Sequence, residues 1–386
     1  MFDVSSVKIP DGLVYLDNNA TTACFPEVVA AMQPYWNLAF GNASSSHFAG
    51  RLVGRVVEKA RESVASALDI DQGQVFFNSG ATEGNNWIFQ AFADARPEMR
   101  HVVVSSIEHK SVLNAAKRLE RFGFDVSYLP VTSDGAVDLD AAREAIVRGT
   151  GLVSVQLANN ETGVIQPVRE LVEMAHAAGA FFHCDAVQAL GKMSFLLSDL
   201  GVDSATFSAH KIHGPKGIGF LYLRSGIKQF PFPMPLEGGG QERSVRPGTL
   251  NVPGIVGLAK AMEMLPDENA LTRMQAMRDE FEASVLAAIS GSFVNGAGAK
   301  RLPNTTSLFI PGVPSDVIMD NMPLFCVSNG SACNAGTFEP SYVLQSMGLS
   351  QDFARHCIRI SASVLTQMEE VSSFSAELIK TWRQLI

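Results

Sequence analysis

Cysteine is scarce in this chain. Five residues in 386, Cys24, Cys184, Cys326, Cys333 and Cys357, are scattered and odd in number, which speaks against a disulfide framework. No CxxC pair or close Cys/His cluster has the spacing of a zinc site. A reducing compartment is therefore expected, the cytoplasm, where any one of these thiols stays free for chemistry. Long apolar runs are also missing: none approaches the ~18–20 residues of a membrane span, so no membrane association is expected. The opening MFDVSSVKIPDG has neither the basic leader nor the apolar stretch of a secretory signal. Positive charge is in deficit, with 30 Lys and Arg against 39 Asp and Glu and a formal net charge of −9. Such a surface is not built to hold nucleic-acid phosphates, and no direct nucleic-acid binding is expected. Nucleotide-loop signatures are lacking too: GxxxxGK[ST] does not occur, and no GxGxxG opens a helix.

Core material, by contrast, is plentiful. The chain is 46% hydrophobic and 18% charged, a globular composition, and its length exceeds one ordinary domain, so two domains are expected. In the middle of the chain short β-branched runs alternate with helix-like stretches. Strands are expected at 101–105, 125–129, 152–157, 180–184, 204–208 and 218–223, and helices at 109–122 and 167–178. The second helix has Pro167 at its first turn and Gly179 just past its end, the usual asymmetry. Alternation of this kind reads as an α/β fold with a mostly parallel sheet. After about Gly257 the texture changes to a long helical stretch, 255–288, broken near Pro266, and then to short strands around 306–310 and 359–361. These suggest a second, smaller α+β domain, against which the N-terminal dozen residues are expected to pack.

Chemistry concentrates in a few segments. FSAHKIHGPKGIGFLYL (207–223) runs from an apolar strand into Ser208, His210 and Lys211, through a Gly/Pro-rich turn and into another strand. At the polar end of a buried strand a lysine amine is partly desolvated, as a Schiff-base nucleophile must be near neutral pH. Standing alone, a lysine in a turn is ordinarily a surface residue. In FFHCDAVQALG (181–191), Asp185 ends an apolar strand, at the sheet edge where ligands of α/β proteins collect. It could cap a helix; paired with Lys211 on the next strand, it suits a pyridine nitrogen kept protonated, the electron sink of pyridoxal phosphate (PLP). SGATEGNNW (79–87) is a turn that opens a helix, where backbone N–H groups and the Thr82 hydroxyl make an anion cradle. Ordinary Ser/Thr capping fits that segment equally. His109, in SSIEHKSV, follows a strand and begins a helix, and it suits stacking on a flat ring and moving protons; a structural histidine fits the same place. Cys333, in FCVSNGSACNAGTFEPSYVL (325–344), stands among Ser, Asn, Gly and Ala with almost no apolar anchor. An exposed loop thiol is expected there, reactive where buried thiols are inert, although a plain loop cysteine would have the same surroundings. Cys184 and Cys326, in apolar strand contexts, and Cys357, in a helix-like one, are expected to be packing residues.

Together these segments resemble the cysteine desulfurases, within the class V aminotransferase family of fold type I PLP enzymes. The resemblance is carried by YLDNNATT (15–22), FGNASSSHFAGR (40–51), SGATEGNN (79–86), EHKSV (108–112), ANNETGVIQP (158–167), HCDAVQALGK (183–192), SAHKIHGPKGIG (208–219), GGGQERSVRPGTLN (238–251) and SNGSACNAGTFEPSYVL (328–344), in the family's order across nearly the whole chain. It implies a PLP-dependent transferase fold of type I. A large domain, 15–258, would hold a mostly parallel seven-stranded sheet, and a smaller α+β domain, 1–14 with 259–386, would carry the reactive-cysteine loop. Lys211 would be the Schiff-base lysine, Asp185 would hold the pyridine nitrogen, and His109 would lie over the ring. Gln188 and Asn160 would sit near the ring hydroxyl and the substrate. The cofactor phosphate would fall to Ala81, Thr82, Ser208 and His210, joined by Thr249 from the neighbouring subunit of a homodimer. Arg359 would pair with the α-carboxylate of L-cysteine, a task suited to a planar bidentate donor. The implied reaction takes sulfur from L-cysteine, leaves L-alanine, and puts a persulfide on Cys333 for transfer to an acceptor protein.

The match departs from the family pattern after Arg359, where Ser363 and Val364 stand in place of the Gly-Arg pair of many relatives. The chain also ends at Ile386 without the tail with which some members dock an iron–sulfur scaffold, and Asn329 and Asn334 are unusual near the reactive cysteine. Iron–sulfur assembly, thiolation of tRNA or DNA, and supply to a cofactor synthase therefore stand as alternative destinations for the sulfur. The same lysine and aspartate would serve a selenocysteine lyase or an aminotransferase, and a silent interaction subunit is a third reading. Cys333 separates desulfuration from transamination, and an intact Lys211, Asp185 and Cys333 stand against a silent chain.

Overall fold

The computed structural model describes residues 8–224, 226, 236–329 and 340–386. Strand β1 (Val14–Tyr15) stands apart from the main sheet. Strands β2 (Val75–Asn78), β3 (His101–Ser105), β4 (Asp125–Leu129), β5 (Thr150–Ser154), β6 (Phe181–Asp185), β7 (Ser204–Ser208) and β8 (Gly219–Leu223) form a seven-stranded sheet in the order β2-β8-β7-β6-β5-β3-β4. Neighbours from β7 across to β4 are parallel, and β8 runs antiparallel to both β7 and β2. The mostly parallel sheet of seven is thus as the sequence leads one to expect. Strand β2 lies outside the expected set: VFFN is buried at all four positions and too short to show a period.

Helices cover both faces of this sheet. On one side α1 (Phe48–Ala67), α4 (Val168–Ala178) and α5 (Val252–Glu263) press Val53, Val57, Leu171, Ile255 and Leu258 onto Val103, Val153, Phe182 and Phe207. On the other, α2 (Ala81–Ala95) and α3 (Lys110–Arg121) bury Trp87, Phe89, Phe92, Val112 and Leu119 against Phe76, Val102 and Val104. Covering from both sides explains why β5, β7 and β8 are buried at every position, whereas edge strand β4 keeps Asp125 and Tyr128 exposed. Gly179 ends α4 in the left-handed conformation, φ +81°, which costs glycine little. Pro167 occupies the N-cap of α4, one residue before the first turn where the sequence reading puts it.

A second core forms farther along. Helices α6 (Glu268–Ala288) and α7 (Met368–Leu385) pack Met274, Met277, Phe281, Phe374 and Leu378 onto an antiparallel sheet of β9 (Phe293–Val294), β10 (Thr305–Phe309) and β12 (Cys357–Ser361). Strand β1 joins it by parallel pairing with β11 (Phe325–Cys326), which brings Val14 and Leu16 into the same core. Ile255, Leu258 and Met262 of α5 all belong to the first core. The chain therefore changes core at the break near Pro266 and not at residue 258. Cys357 begins a strand and is not in a helix, because the register Phe309↔Cys357 pairs it with β10.

Candidate active site

Strands β6 and β7 end at Asp185 and Ser208, and beyond their C-terminal ends opens a cleft of about 530 Å³. Ala81, Thr82, His109, Asn160, Asp185, Gln188, Ser208, His210, Lys211 and Arg359 all line it. Thr249 does not; it is exposed elsewhere on the same chain. Cys333 lies outside the described residues.

Lys211 ends a single 3-10 turn, Ala209–Lys211, that follows β7 directly. Its Nζ donates to the carbonyls of Asn19 at 2.5 Å and Ala20 at 2.7 Å, which aims the amine along the cleft wall. Asp185 is the last residue of β6, one sheet position away. Its Oδ1 accepts from Val187 N at 3.1 Å and its Oδ2 from Asn85 Nδ2 at 2.9 Å. The carboxylate thus closes an Asx turn and caps no helix.

The start of α2 forms the second wall. Gly80, at φ +138°, turns the chain so that α2 begins at the cleft, where its N-terminal end carries a partial positive charge suited to phosphate. Ala81 N already donates to Ser208 Oγ at 3.0 Å, so this amide holds the serine hydroxyl in place. His210 is held by Thr21 Oγ1 at 3.2 Å. Burial, followed by the nearby charges of Lys211, Lys216 and Lys192, pushes its pKa down to about 4. Those same three lysines add positive charge around the place where an anion would sit.

Arg359 projects from β12 of the second core and is 4% exposed. Its Nη2 is ion-paired with Asp17 Oδ1 at 2.6 Å, and Nη1 donates to the Asn160 carbonyl at 3.2 Å. Its Nε is buried without a partner among the described residues, as is Asn160 Oδ1. Buried polar atoms are seldom left so, and both of these belong to residues that line the cleft. Gln188 Nε2 donates to Asn19 O at 3.0 Å, while its Oε1 accepts from the buried Lys192 Nζ at 2.5 Å. Burial, with the charges of Lys211 and Arg359, pulls the Lys192 amine well below its usual range.

Asp17, Asn19, Asn85 and Lys192 therefore belong to the site although the motifs do not single them out. All four stand inside the segments YLDNNATT, SGATEGNN and HCDAVQALGK. Their contacts reach across 342, 192, 100 and 173 positions, and no local pattern carries that.

The described residues on either side of 330–339 make contacts near the cleft. Before it, Ser328 exchanges backbone hydrogen bonds with Arg359. After it, Ser341 Oγ donates to Glu161 Oε2 at 2.5 Å and Tyr342 Oη to the Glu108 carbonyl at 2.6 Å. The first flank is thus tied to Arg359, and the second to Glu161 and Glu108, the chain neighbours of Asn160 and His109. The described cysteines are poor nucleophiles. Burial raises the thiol pKa of Cys184 far up, that of Cys357 to about 12, and those of Cys24 and Cys326 less. Cys326 is only half-buried, less enclosed than its apolar sequence context suggests.

A class-V aminotransferase family model matches residues 14–374. The chain belongs to the class-V aminotransferase family. It is 42% identical over 380 residues to a cysteine desulfurase of Nostoc sp. PCC 7120, covering 97% of this chain and 94% of that one. It is 40% identical over 383 residues to a cysteine desulfurase IscS of Anaeromyxobacter sp., covering 98% and 94%. Among solved structures, a NifS-like protein superposes with a TM-score of 0.88 at 37% identity, over 95% of this chain and 98% of that one. SspA, solved in complex with cysteine, gives 0.81 at 34% identity over 90% and 98%. With fold, cleft and relatives in agreement, the protein is an enzyme, a PLP-dependent cysteine desulfurase. No helix among the described residues is long and apolar enough to cross a membrane.

The residues of the cleft fit the cofactor. An amine, a carboxylate with room for a further donor, a helix N-terminus and two unpartnered buried polar atoms surround a space of about 530 Å³.

Proposed function

We propose that PLP is held by Lys211 through its aldehyde, by Asp185 at its pyridine nitrogen, and by Thr82, Ser208 and His210 at its phosphate, beside the Ala81 amide. His109 covers the ring, Gln188 and Asn160 flank its hydroxyl, and Arg359 receives the α-carboxylate of L-cysteine. The cofactor supplies an electron sink that loosens the bonds at Cα and, through it, the Cβ–S bond. The chain's own groups do the rest. Arg359 orients the substrate, and the Lys211 amine carries a proton to and from Cα. The Cys333 thiolate attacks the substrate sulfur: an S–S bond forms, the Cβ–S bond breaks, and its electron pair stays on carbon, which takes up a proton to give L-alanine. Cys333 is left as a persulfide for an acceptor protein in the cytoplasm, serving iron–sulfur assembly, thiolation of tRNA or DNA, or a cofactor synthase. The observation that carries this reading is the convergence of Lys211, Asp185 and Arg359 on the cleft to whose rim both flanks of the Cys333 segment are tied. Purified protein given L-cysteine should form alanine and gain one sulfur atom on the Cys333 peptide, read by mass spectrometry. Alanine formed with the sulfur on a different cysteine would overturn the assignment.

The working unit is a homodimer. Trp36, Leu38, Phe40 and Phe48 are 62–79% exposed within one stretch of chain, an apolar strip of the kind that marks an interface. Thr249, exposed and outside its own cleft, then serves the partner's phosphate site. The double variant Trp36→Asp, Phe40→Asp should be monomeric by light scattering. It should also bind PLP roughly tenfold more weakly, the worth of one hydrogen bond to a charged group. A monomer with unchanged PLP affinity would remove Thr249 from the cofactor site.

A further inference from the structure

We propose that Asn85 is a positioning residue that fixes His109 as its Nε2–H tautomer, so that the imidazole offers the cleft a proton donor and not a base. The proposal rests on the reading that PLP and L-cysteine occupy this cleft.

Asn85, fully buried in the first turns of α2, makes four side-chain hydrogen bonds. Its Nδ2 lies 2.9 Å from Asp185 Oδ2 and 2.8 Å from Ser111 Oγ. Its Oδ1 lies 2.9 Å from His183 Nε2 and 2.7 Å from Thr206 Oγ1. An amide can be turned over without changing its outline, so its orientation follows from its partners. A carboxylate only accepts; therefore Nδ2 must face Asp185, and it necessarily faces Ser111 as well. Oδ1 is then supplied by the Thr206 hydroxyl and by His183. His183 is wholly enclosed, and burial drives its pKa down to about 3. It is neutral, with Nε2–H on Asn85 and Nδ1 toward the Ser204 hydroxyl at 2.8 Å.

The consequence travels through Ser111. Its oxygen accepts from Asn85, so its single proton is free to point the other way, at His109 Nδ1, 2.8 Å distant. The backbone N–H of Ser111 donates to that same nitrogen at 3.1 Å, because His109 is the N-cap of α3. Two donors thus converge on Nδ1, and a nitrogen that accepts carries no proton. The neutral ring must hold its hydrogen on Nε2. Neutrality is itself favoured: burial lowers the His109 pKa and so do the charges of Lys211 and Lys110, against the opposing pull of Asp185.

One amide therefore braces the carboxylate assigned to the pyridine nitrogen and the imidazole assigned to the ring face. The neutral imidazole can give its Nε2 proton to an anion forming in the cleft, but it cannot first accept one there. Deprotonation of the substrate thiol or of Cys333 must come from another amine or from solvent.

The test is nitrogen-15 NMR of histidine-labelled protein at neutral pH, with and without PLP, the His109 signals being assigned by comparison with His109→Gln. Nε2 should show the shift of a protonated nitrogen and Nδ1 that of an unprotonated one. Ser111→Ala should move the Nδ1 resonance toward that of a free acceptor. Asn85→Ala should move it likewise and weaken PLP binding about tenfold through loss of the Asp185 brace. If Asn85→Ala fails to fold, because His183 and Thr206 lose their acceptor, Ser111→Ala alone decides the relay. A wild-type His109 protonated at Nδ1 would overturn the proposal, as would an unmoved Nδ1 signal in Ser111→Ala. An Asn85→Ala protein with wild-type PLP affinity and wild-type His109 signals would remove Asn85 from the role. Since the tautomer is also read without cofactor, a chain that did not bind PLP would sink the cofactor reading while the spectrum still decided this one.

Discussion

Cys333→Ser should lower sulfur release from L-cysteine by at least about 1,000-fold while the visible absorbance of bound PLP stays intact. A serine hydroxyl is nearly isosteric with a thiol, yet at neutral pH it offers almost no anion and makes no stable bond to sulfur, so the step has no substitute nucleophile. Nor do the described thiols stand in, since burial raises the pKa of each and leaves little thiolate. The measurement is single-turnover alanine formation beside an absorbance spectrum of the same sample. Retained turnover with a persulfide elsewhere would move the acceptor to another cysteine, and loss of the spectrum would mean that the serine had disturbed the cofactor site.

Lys211→Ala should lose both the visible absorbance and turnover, the second by at least about 10,000-fold. Two roles vanish together, the tether to the cofactor and a proton carrier worth about 10²–10⁴ by itself. The two roles separate in a rescue experiment. The Asn19 and Ala20 carbonyls that hold the Lys211 amine survive the substitution, so they can seat a small added amine where Nζ was. Methylamine should therefore restore measurable turnover without restoring the covalent tether. If full absorbance persisted in the alanine variant, another lysine would hold PLP, and the buried Lys192 would be the first to replace.

The sequence discloses the frame of this site better than its wiring. Strands β3, β4 and β7 fall where short β-branched runs and their flanking turns put them, and Asp185 and Lys211 stand at strand ends because an apolar run stops at a polar residue. Strand β2 escapes notice because a four-residue run buried on both faces has no alternation to read. Cys357 looks helical beside FARH but is claimed by the ladder to β10, a partner nearly fifty positions away. The family resemblance singles out Arg359 as the proposed carboxylate partner, whereas nothing singles out its resting partner Asp17, since no local pattern announces a pair 342 positions apart. Asn85 is the strongest case. Its importance comes from side chains of β6, β7 and α3 meeting at one buried amide, and that meeting exists only once the sheet and both helices are assembled.

The pairing of β1 with β11 also sets an order of assembly. Val14 must wait for Phe325, about 310 residues later, and at roughly 5–20 residues per second that is about 15–60 s of synthesis. Throughout that interval Val14 and Leu16 have no core to enter. Asn18 cannot bond Ser361 until later still. The central sheet can form on the ribosome, but the cleft closes last, from both ends of the chain at once. A nascent chain stalled short of β12 would hold the central sheet with Asp185 and Lys211 but would lack Arg359 on the cleft wall.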